Sequence, residues 1–324
     1  MDVVVIGGTG HIGTFLVPRL VNSGHKVTVL SRGTGRPYQD DPAWNAVRRV
    51  TVDRAAEDES GHFAARVADL SADAVIDLVC FTLRSATQLV EGLRGHTGHL
   101  IHCGSIWMHG KSVRVPITED ARTEPFGDYG TQKAAIATML RAETMGGGLA
   151  TTSIHPGHIS GPGWAPIGPL GNLDPQVWQK LAAGRELQMP GLGAELLSHV
   201  HADDVAQVFQ LAVDHPAAAR GQAFHATAGS ALTVRGFAQL AAAWFGQPAR
   251  LTPVSWETFN ENTTAEYAQQ TWDHLVRSQH VSIEKARELL GYRPRFAPED
   301  AARAGVESLL RTGELDLERE LTTG

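Results

Sequence analysis

The first thirteen residues restrict the fold of this chain more than any other stretch. Val3–Ile6 is a run of β-branched residues that leads without a spacer into Gly7-Gly8-Thr9-Gly10-His11-Ile12-Gly13. A buried strand ending in closely spaced glycines, then reading at helical spacing over Ile12–Asn22, is the opening of a βαβ unit. Gly7 suits the tight turn, Gly10 lets a phosphate approach the backbone, and Gly13 lets the helix lie close to the sheet. The free amides at the helix start form a site for a dinucleotide's pyrophosphate, with Thr9, His11 and Ile12 beside it.

The alternation continues. Lys26–Ser31, Val47–Asp53, Ala74–Val79 and His99–Cys103 are strand-like, while Gly61–Leu70 and Arg84–Arg94 carry apolar residues at helical spacing. A helix from Tyr129 to Thr144 and a strand Leu149–Ile154 complete six units. Continuous apolar strands separated by helix-length connections predict a Rossmann-like, doubly wound parallel α/β sheet covered on both faces. Residues 1–155 read as the dinucleotide-binding domain. His155–Gly171 is then rich in proline and glycine, so it is a loop: either a linker or a cover over a site at the sheet edge. Helices follow at Pro175–Ala183, Thr233–Phe245, Thr264–Arg277, Ser282–Leu290 and Pro298–Arg311, with a strand at Leu196–Val200. Asp203 or Asp204 is placed to cap the helix that follows. Residues 156–324 thus read as a smaller, mostly helical substrate lobe, with segments near 196–225 returning to the first domain.

Composition excludes several classes. Twenty-eight basic residues against thirty-five acidic ones give a net charge of -7, and no basic block supports a nucleic-acid partner. There is no apolar run of about 18 residues for a membrane span. The two cysteines, Cys80 and Cys103, sit in apolar strand-like runs and suit neither a disulfide framework nor a zinc cluster. With no basic leader ahead of the first strand, a cytoplasmic protein is expected. Only 19% of residues are charged, which leaves room for a homodimer interface. The pairs His99/His102 and His199/His201 lack a converging third ligand, so no metal is expected.

At the end of the second strand, an acid would bond the adenosine ribose and repel a 2′-phosphate. Ser31 and Arg32 stand there instead, and a guanidinium can grip phosphate as a fork. The expectation is therefore NADP, with NAD as the alternative. Arg36 is a second phosphate candidate, and Val79 belongs to the same cofactor wall. Asp53 serves either the adenine amino group or the start of the next helix.

Tyr129 and Lys133 lie four residues apart, on one helical face. With only four tyrosines in the chain, a lysine so placed is an uncommon coincidence. A neighbouring ammonium favours phenolate, and such a tyrosine can pass a proton to or from a carbonyl or alcohol oxygen. Ser105 follows the fifth strand at its carboxyl end, where parallel sheets place ligands, and can orient the same oxygen.

These residues, taken in order, resemble the extended short-chain dehydrogenase/reductase superfamily, especially its NAD-dependent epimerase/dehydratase branch. The resemblance continues in Asp77-Leu78-Val79, in Pro156–Pro162, in His199–Ala206 and in Ala286–Pro294, so it covers nearly the whole chain. It implies Tyr129 as acid/base, Lys133 as its activator and ribose ligand, and Ser105 as anchor of the substrate hydroxyl. Ile106 and Trp107 replace the acidic pair typical of sugar-nucleotide dehydratases, which argues against that elimination. His109 stands near the family's usual tyrosine, and His155 replaces an arginine common before Pro-Gly.

Trp107, His109, His158 and Trp164 are candidates for a compact substrate pocket with apolar walls. For Trp107 and Trp164 the alternative is core packing. The leading expectation is an NAD(P)-dependent oxidoreductase acting on a secondary alcohol or ketone of a small polar or aromatic molecule. The alternative is an epimerase of a sugar or sugar-nucleotide, with the cofactor held tightly and a transient keto intermediate. A relative that binds cofactor without catalysis is disfavoured because Ser105, Tyr129 and Lys133 are all present.

Overall fold

The computed structural model, which describes residues 1–322, lays the apolar runs of the first half side by side. The chain opens with β1 (Asp2–Ile6), α1 (His11–Asn22), β2 (Lys26–Ser31) and β3 (Arg48–Thr51). It continues through α2 (Arg54–Ser60), α3 (Phe63–Ala68), β4 (Ala74–Asp77), α4 (Leu83–Leu93) and β5 (His99–Cys103). α5 (Asp128–Met145) then leads to β6 (Thr151–Pro156) and the short β7 (His158–Ser160). Further along come α6 (Pro175–Ala182), β8 (Glu186–Pro190), β9 (Leu196–Leu197), β10 (His199–His201), α7 (Ala202–Asp214), α8 (Pro216–Ala219) and β11 (Ala223–Ala226). The chain closes with β12 (Leu232–Thr233), α9 (Val234–Ala243), β13 (Arg250–Val254), α10 (Trp256–Glu261), α11 (Ala265–Leu275), α12 (Glu284–Leu290) and α13 (Pro298–Thr312).

Seven strands form one sheet in the order β11-β6-β5-β4-β1-β2-β3, every neighbour parallel. The chain winds outward from β1 in one direction and from β4 in the other. The crevice beyond the carboxyl ends of β1 and β4 is therefore the switch point at which such sheets bind ligands. One face is buried under α1, α7 and α12, through Leu16, Leu20, Phe209 and Leu290. The other is buried under α3, α4 and α5, through Phe63, Val67, Leu89 and Ile136. Burial on both faces is why β1 and β4 carry no polar alternation. The fold is a Rossmann-like α/β sheet with a smaller, helical C-terminal lobe.

That lobe has its own core, in which Trp178 stacks on Trp244 with centroids 6.2 Å apart and Phe237 meets both rings edge-on. Its strands are pairs: β8 with β13, β9 with β12, β7 with β10. The single strand expected at Leu196–Val200 is split. Buried Ser198 turns its hydroxyl aside to the Gln279 carbonyl at 2.7 Å, and the residues flanking it join different neighbours. The cap of α7 also differs from expectation. His201 Nδ1 accepts the Asp203 N–H at 3.1 Å, freeing both aspartates. Asp203 accepts from Arg19 Nε of α1 at 2.6 Å and from Arg295, while Asp204 accepts the Arg295 and Phe296 amides. Among the described residues no helix is long and apolar enough to cross a membrane.

Candidate cofactor cleft and active site

A cleft of about 990 Å³ opens at the switch point, lined among others by Gly7, Gly10, Ser31, Arg32, Asp53 and Val79. Its inner edge is the glycine turn. Gly7 has φ +81°, and a Cβ there would lie 2.6 Å from Val79 Cγ1. A Cβ on Gly13 would fall 2.1 Å from the Gly8 carbonyl oxygen, so only glycine lets α1 sit this close. No side chain caps the first turn of α1 and no acid stands in it. Its amides are left for an anionic ligand, and a pyrophosphate fits this donor set.

Arg32 is exposed beside half-buried Ser31, whereas Arg36 lines a second depression with Trp44 and Arg49. Asp53 caps α2, accepting from the Ala56 amide at 3.2 Å, and also lines the cleft. Its neighbour Arg54 escaped the sequence reading. Arg54 donates to Asp77 Oδ1 at 2.5 Å and to Ser85 Oγ at 3.0 Å, and Asp77 Oδ1 also accepts the Val79 amide at 3.2 Å. Burial alone would lower the Arg54 pKa, but Asp77 overrides it and the net shift is upward. One guanidinium thereby ties the ends of β3 and β4 to the start of α4.

Behind Phe81, which lines the cleft, Lys133 is 1% exposed. Its ammonium donates to the Cys80 and Cys103 carbonyls, each at 2.7 Å. These carbonyls come together because β4 and β5 are paired in register, Asp77 opposite His102. Nζ lies 4.9 Å from the Phe81 ring centroid and 5.6 Å from that of Tyr129. Burial pulls the ammonium below its usual pKa, with the thiols of Cys103 and Cys80 opposing. Tyr129 keeps 40% of its surface accessible, yet protein packed round the phenol pushes its pKa up to about 12. The Cys103 thiol adds to that rise and the Ser105 hydroxyl opposes it. The expected depression by Lys133 is thus absent from the protein alone, where burial sets the direction of the shift. Ser105 is held by its backbone N–H, which donates to His155 Nδ1 at 3.2 Å, and its Oγ accepts the Trp107 amide at 3.2 Å.

Trp107 meets Tyr129 edge-on at 5.8 Å and His274 at 5.0 Å, and His158 lies 5.0 Å from His274. Ser105, Trp107, Tyr129 and His158 therefore form one cluster, joined through the Trp107 amide and ring and the His274 ring. Burial and the neighbouring His274 hold His158 well below the ordinary imidazole pKa, so it is neutral, and its buried Nδ1 is unpartnered. Two residues of this cluster were missed, His274 and Arg277. The Arg277 guanidinium is sandwiched 3.8 Å from Trp107 and 3.9 Å from Phe126.

His109 and Trp164 are not brought to this cluster. His109 is buried with its Nε2 2.8 Å from His225 Nε2. His225 Nδ1 faces the Ser282 carbonyl at 3.0 Å. A carbonyl only accepts, so His225 carries its proton on Nδ1 and His109 donates to its Nε2. Trp164 instead stacks on His11, with centroids 5.2 Å apart and planes 9° from parallel, at the cofactor end.

The family model for the NAD dependent epimerase/dehydratase family matches residues 3–226. The chain belongs to that family. It is an NAD-binding enzyme of the oxidoreductase and epimerase type. Among relatives of this family member is 2'-dehydrokanamycin reductase of Streptomyces kanamyceticus, 28% identical over 205 residues, or 63% of this chain and 55% of the reductase. The match thus spans about half the length of that relative. UDP-glucose 4-epimerase of Corynebacterium glutamicum is 25% identical over 270 residues, or 76% of this chain and 82% of the epimerase. The solved structure of MoeE5 in complex with UDP-glucose and NAD shares the fold, with a TM-score of 0.71 and 20% identity over 96% of this chain and 99% of that one.

Solved structures of the same fold correct the cofactor expectation. MoeE5 holds NAD, as does WbmG of Bordetella bronchiseptica, which matches with a TM-score of 0.69 and 16% identity over 98% of this chain and 97% of its own. NADP is accordingly not the favoured cofactor. The physical reason lies at Ser31-Arg32. An exposed guanidinium on a flexible stem is weak ground for a fixed 2′-phosphate site, while a neutral serine tolerates the free ribose hydroxyls of NAD. The buried guanidinium of the cleft, Arg54, is already committed to Asp77 and Ser85.

Proposed function

We propose that this chain is an epimerase of a sugar or sugar-nucleotide that oxidises one ring hydroxyl and restores it with inverted configuration. The observation that carries the reading is the setting of Lys133. Two carbonyls fix a buried ammonium beside the Tyr129 ring, and one N–H remains for a ribose hydroxyl. Tyr129 takes the proton of the reacting hydroxyl and later gives it back, and Ser105 orients that oxygen. The high phenol pKa keeps Tyr129 protonated until a ligand changes its surroundings. Bound NAD would supply the hydride acceptor and, in that oxidised form, a positive charge that favours phenolate. The glycine turn and the first amides of α1 hold its pyrophosphate, with Ser31 and Asp53 toward the adenosine. Trp107, His158 and Arg277 flank the sugar side.

The names of the relatives support inversion, since UDP-glucose 4-epimerase recurs among them. A second reading, net reduction of a keto sugar, is favoured by the likeness to 2'-dehydrokanamycin reductase. One experiment separates them. Purified protein with catalytic NAD is offered UDP-glucose and UDP-galactose, while sugar identity is followed by NMR and NADH by absorbance. Interconversion without net NADH supports the epimerase. Inert UDP-sugars, together with stoichiometric NADH consumption on a keto sugar, overturn it in favour of the reductase.

A further inference from the structure

Two loops cross above the glycine turn and touch. After β2, the chain runs back along the start of α1, where the Tyr38 N–H donates to Thr14 Oγ1 at 3.1 Å. After β7, the Gly163 N–H donates to Ser308 Oγ at 3.1 Å, which anchors the second loop on α13. Gly163 has φ +86°, and a Cβ there would lie 2.3 Å from Tyr38 Cγ. The two loops therefore meet face on, backbone against ring. The next residue, Trp164, stacks on His11, the first residue of α1, and Tyr38 meets the same imidazole edge-on at 6.0 Å.

Three features set this apart from core packing. Trp164 and Tyr38 remain 50% and 44% exposed, unusual for large aromatics whose only role is to fill an interior. His11 is buried, and no well-formed hydrogen bond reaches either ring nitrogen, its polar neighbours being the backbone of Gly161 and Pro162 in the same loop as Trp164, an arrangement that a ligand or water would complete. Tyr38 also lines the cofactor cleft together with Gly7, Thr9 and Gly10.

From this geometry we infer that Tyr38, Gly163 and Trp164 form a clasp over the dinucleotide, closing on His11 and slowing release of NAD. The inference rests on the cofactor reading above and deepens it. An epimerase that returns its hydride each cycle gains from a cofactor that stays, whereas an enzyme of net turnover must exchange it. The contact of Gly163 with the Tyr38 ring joins loops from two different walls of the crevice, and it must open before a pyrophosphate on the α1 amides can leave.

The test is a release measurement. Protein is loaded with NAD, stripped of free nucleotide by rapid gel filtration and chased, and bound NAD is quantified over time after acid quench. Trp164→Ala and Tyr38→Ala should each release NAD at least tenfold faster than wild type, with urea midpoints unchanged. Trp164→Phe, which keeps a ring over His11, should stay within about threefold of wild type. Trp272→Ala, an exposed tryptophan of the far lobe, should release at the wild-type rate. Wild-type release rates in both alanine variants overturn the clasp while leaving the cofactor reading intact. Equal acceleration in Trp272→Ala overturns it as well. Failure of the wild type to bind NAD at all overturns the cofactor reading and the clasp with it.

Discussion

At the scale of single residues, the site is a contest between burial and hydrogen bonding. Lys133 survives burial because two carbonyls replace its water. For the ionised form of Tyr129 the Ser105 hydroxyl compensates burial only in part, and the phenol stays protonated in the free protein. Tyr129→Phe should therefore leave the fold and NAD affinity nearly unchanged and lower the single-turnover hydride-transfer rate by about 10²–10⁴. A wild-type rate in the folded, NAD-bound variant would end the acid/base assignment. Lys133→Met should weaken NAD binding as well as the rate. It also orphans the Cys80 and Cys103 carbonyls, each worth about 1–3 kcal/mol of stability when left unpaired and buried. Chemical denaturation of the variant measures that loss separately from catalysis.

At the scale of elements, two junctions decide whether the cleft exists. The first is the approach of α1 to the sheet, where Gly13 faces the Gly8 backbone. Because rigid backbone would have to move, Gly13→Ala should cost about 1–3 kcal/mol and weaken NAD binding together with stability. Unchanged NAD affinity by calorimetry would show that the turn tolerates the shift. The second junction is Asp203, held between Arg19 of α1 and Arg295 of the C-terminal segment. Asp203 is 6% exposed, and its removal leaves Arg19 without its carboxylate. Asp203→Ala should lower the unfolding free energy by about 2–3 kcal/mol, less than for a fully buried pair because Arg295 reaches solvent. Glu124→Ala, which breaks an exposed pair with Arg122, is the control and should be silent in the same urea titration.

At the scale of the whole molecule, the interior is unusually rich in imidazole. Burial holds His99 and His225 down to about 4 and His109 and His199 down to about 3. An unfolded chain protonates these rings near 6.5, so it binds more protons than the native state between pH 6.5 and about 4. Their stabilising contribution is complete above 6.5 and is lost as the pH falls toward 4, at up to about 1.4 kcal/mol per pH unit for each ring. Urea midpoints should fall steeply from pH 7 to pH 5. A flat profile across that window would mean that the rings are not held neutral.

What the sequence determines by itself is what lies close along the chain. The glycine turn, the periodicity of the flanking strands and helices, and the four-residue spacing of Tyr129 and Lys133 all act over one or two turns of backbone. Strand and helix order then leaves little freedom in a doubly wound sheet, so the switch point and the strand-end position of Ser105 follow. Contacts between distant segments obey no such local rule. Trp164 and Trp107 look alike in sequence, yet one stacks on His11 and the other faces Tyr129. His109 reads as a pocket residue until His225, from a strand added far downstream, takes its Nε2. Arg277 and His274 enter the site from the second lobe without any motif to announce them. Tertiary structure also decided the charge states, because desolvation depends on everything packed round a group: Lys133 lies beside Tyr129, as spacing requires, but burial rather than the ammonium governs the phenol.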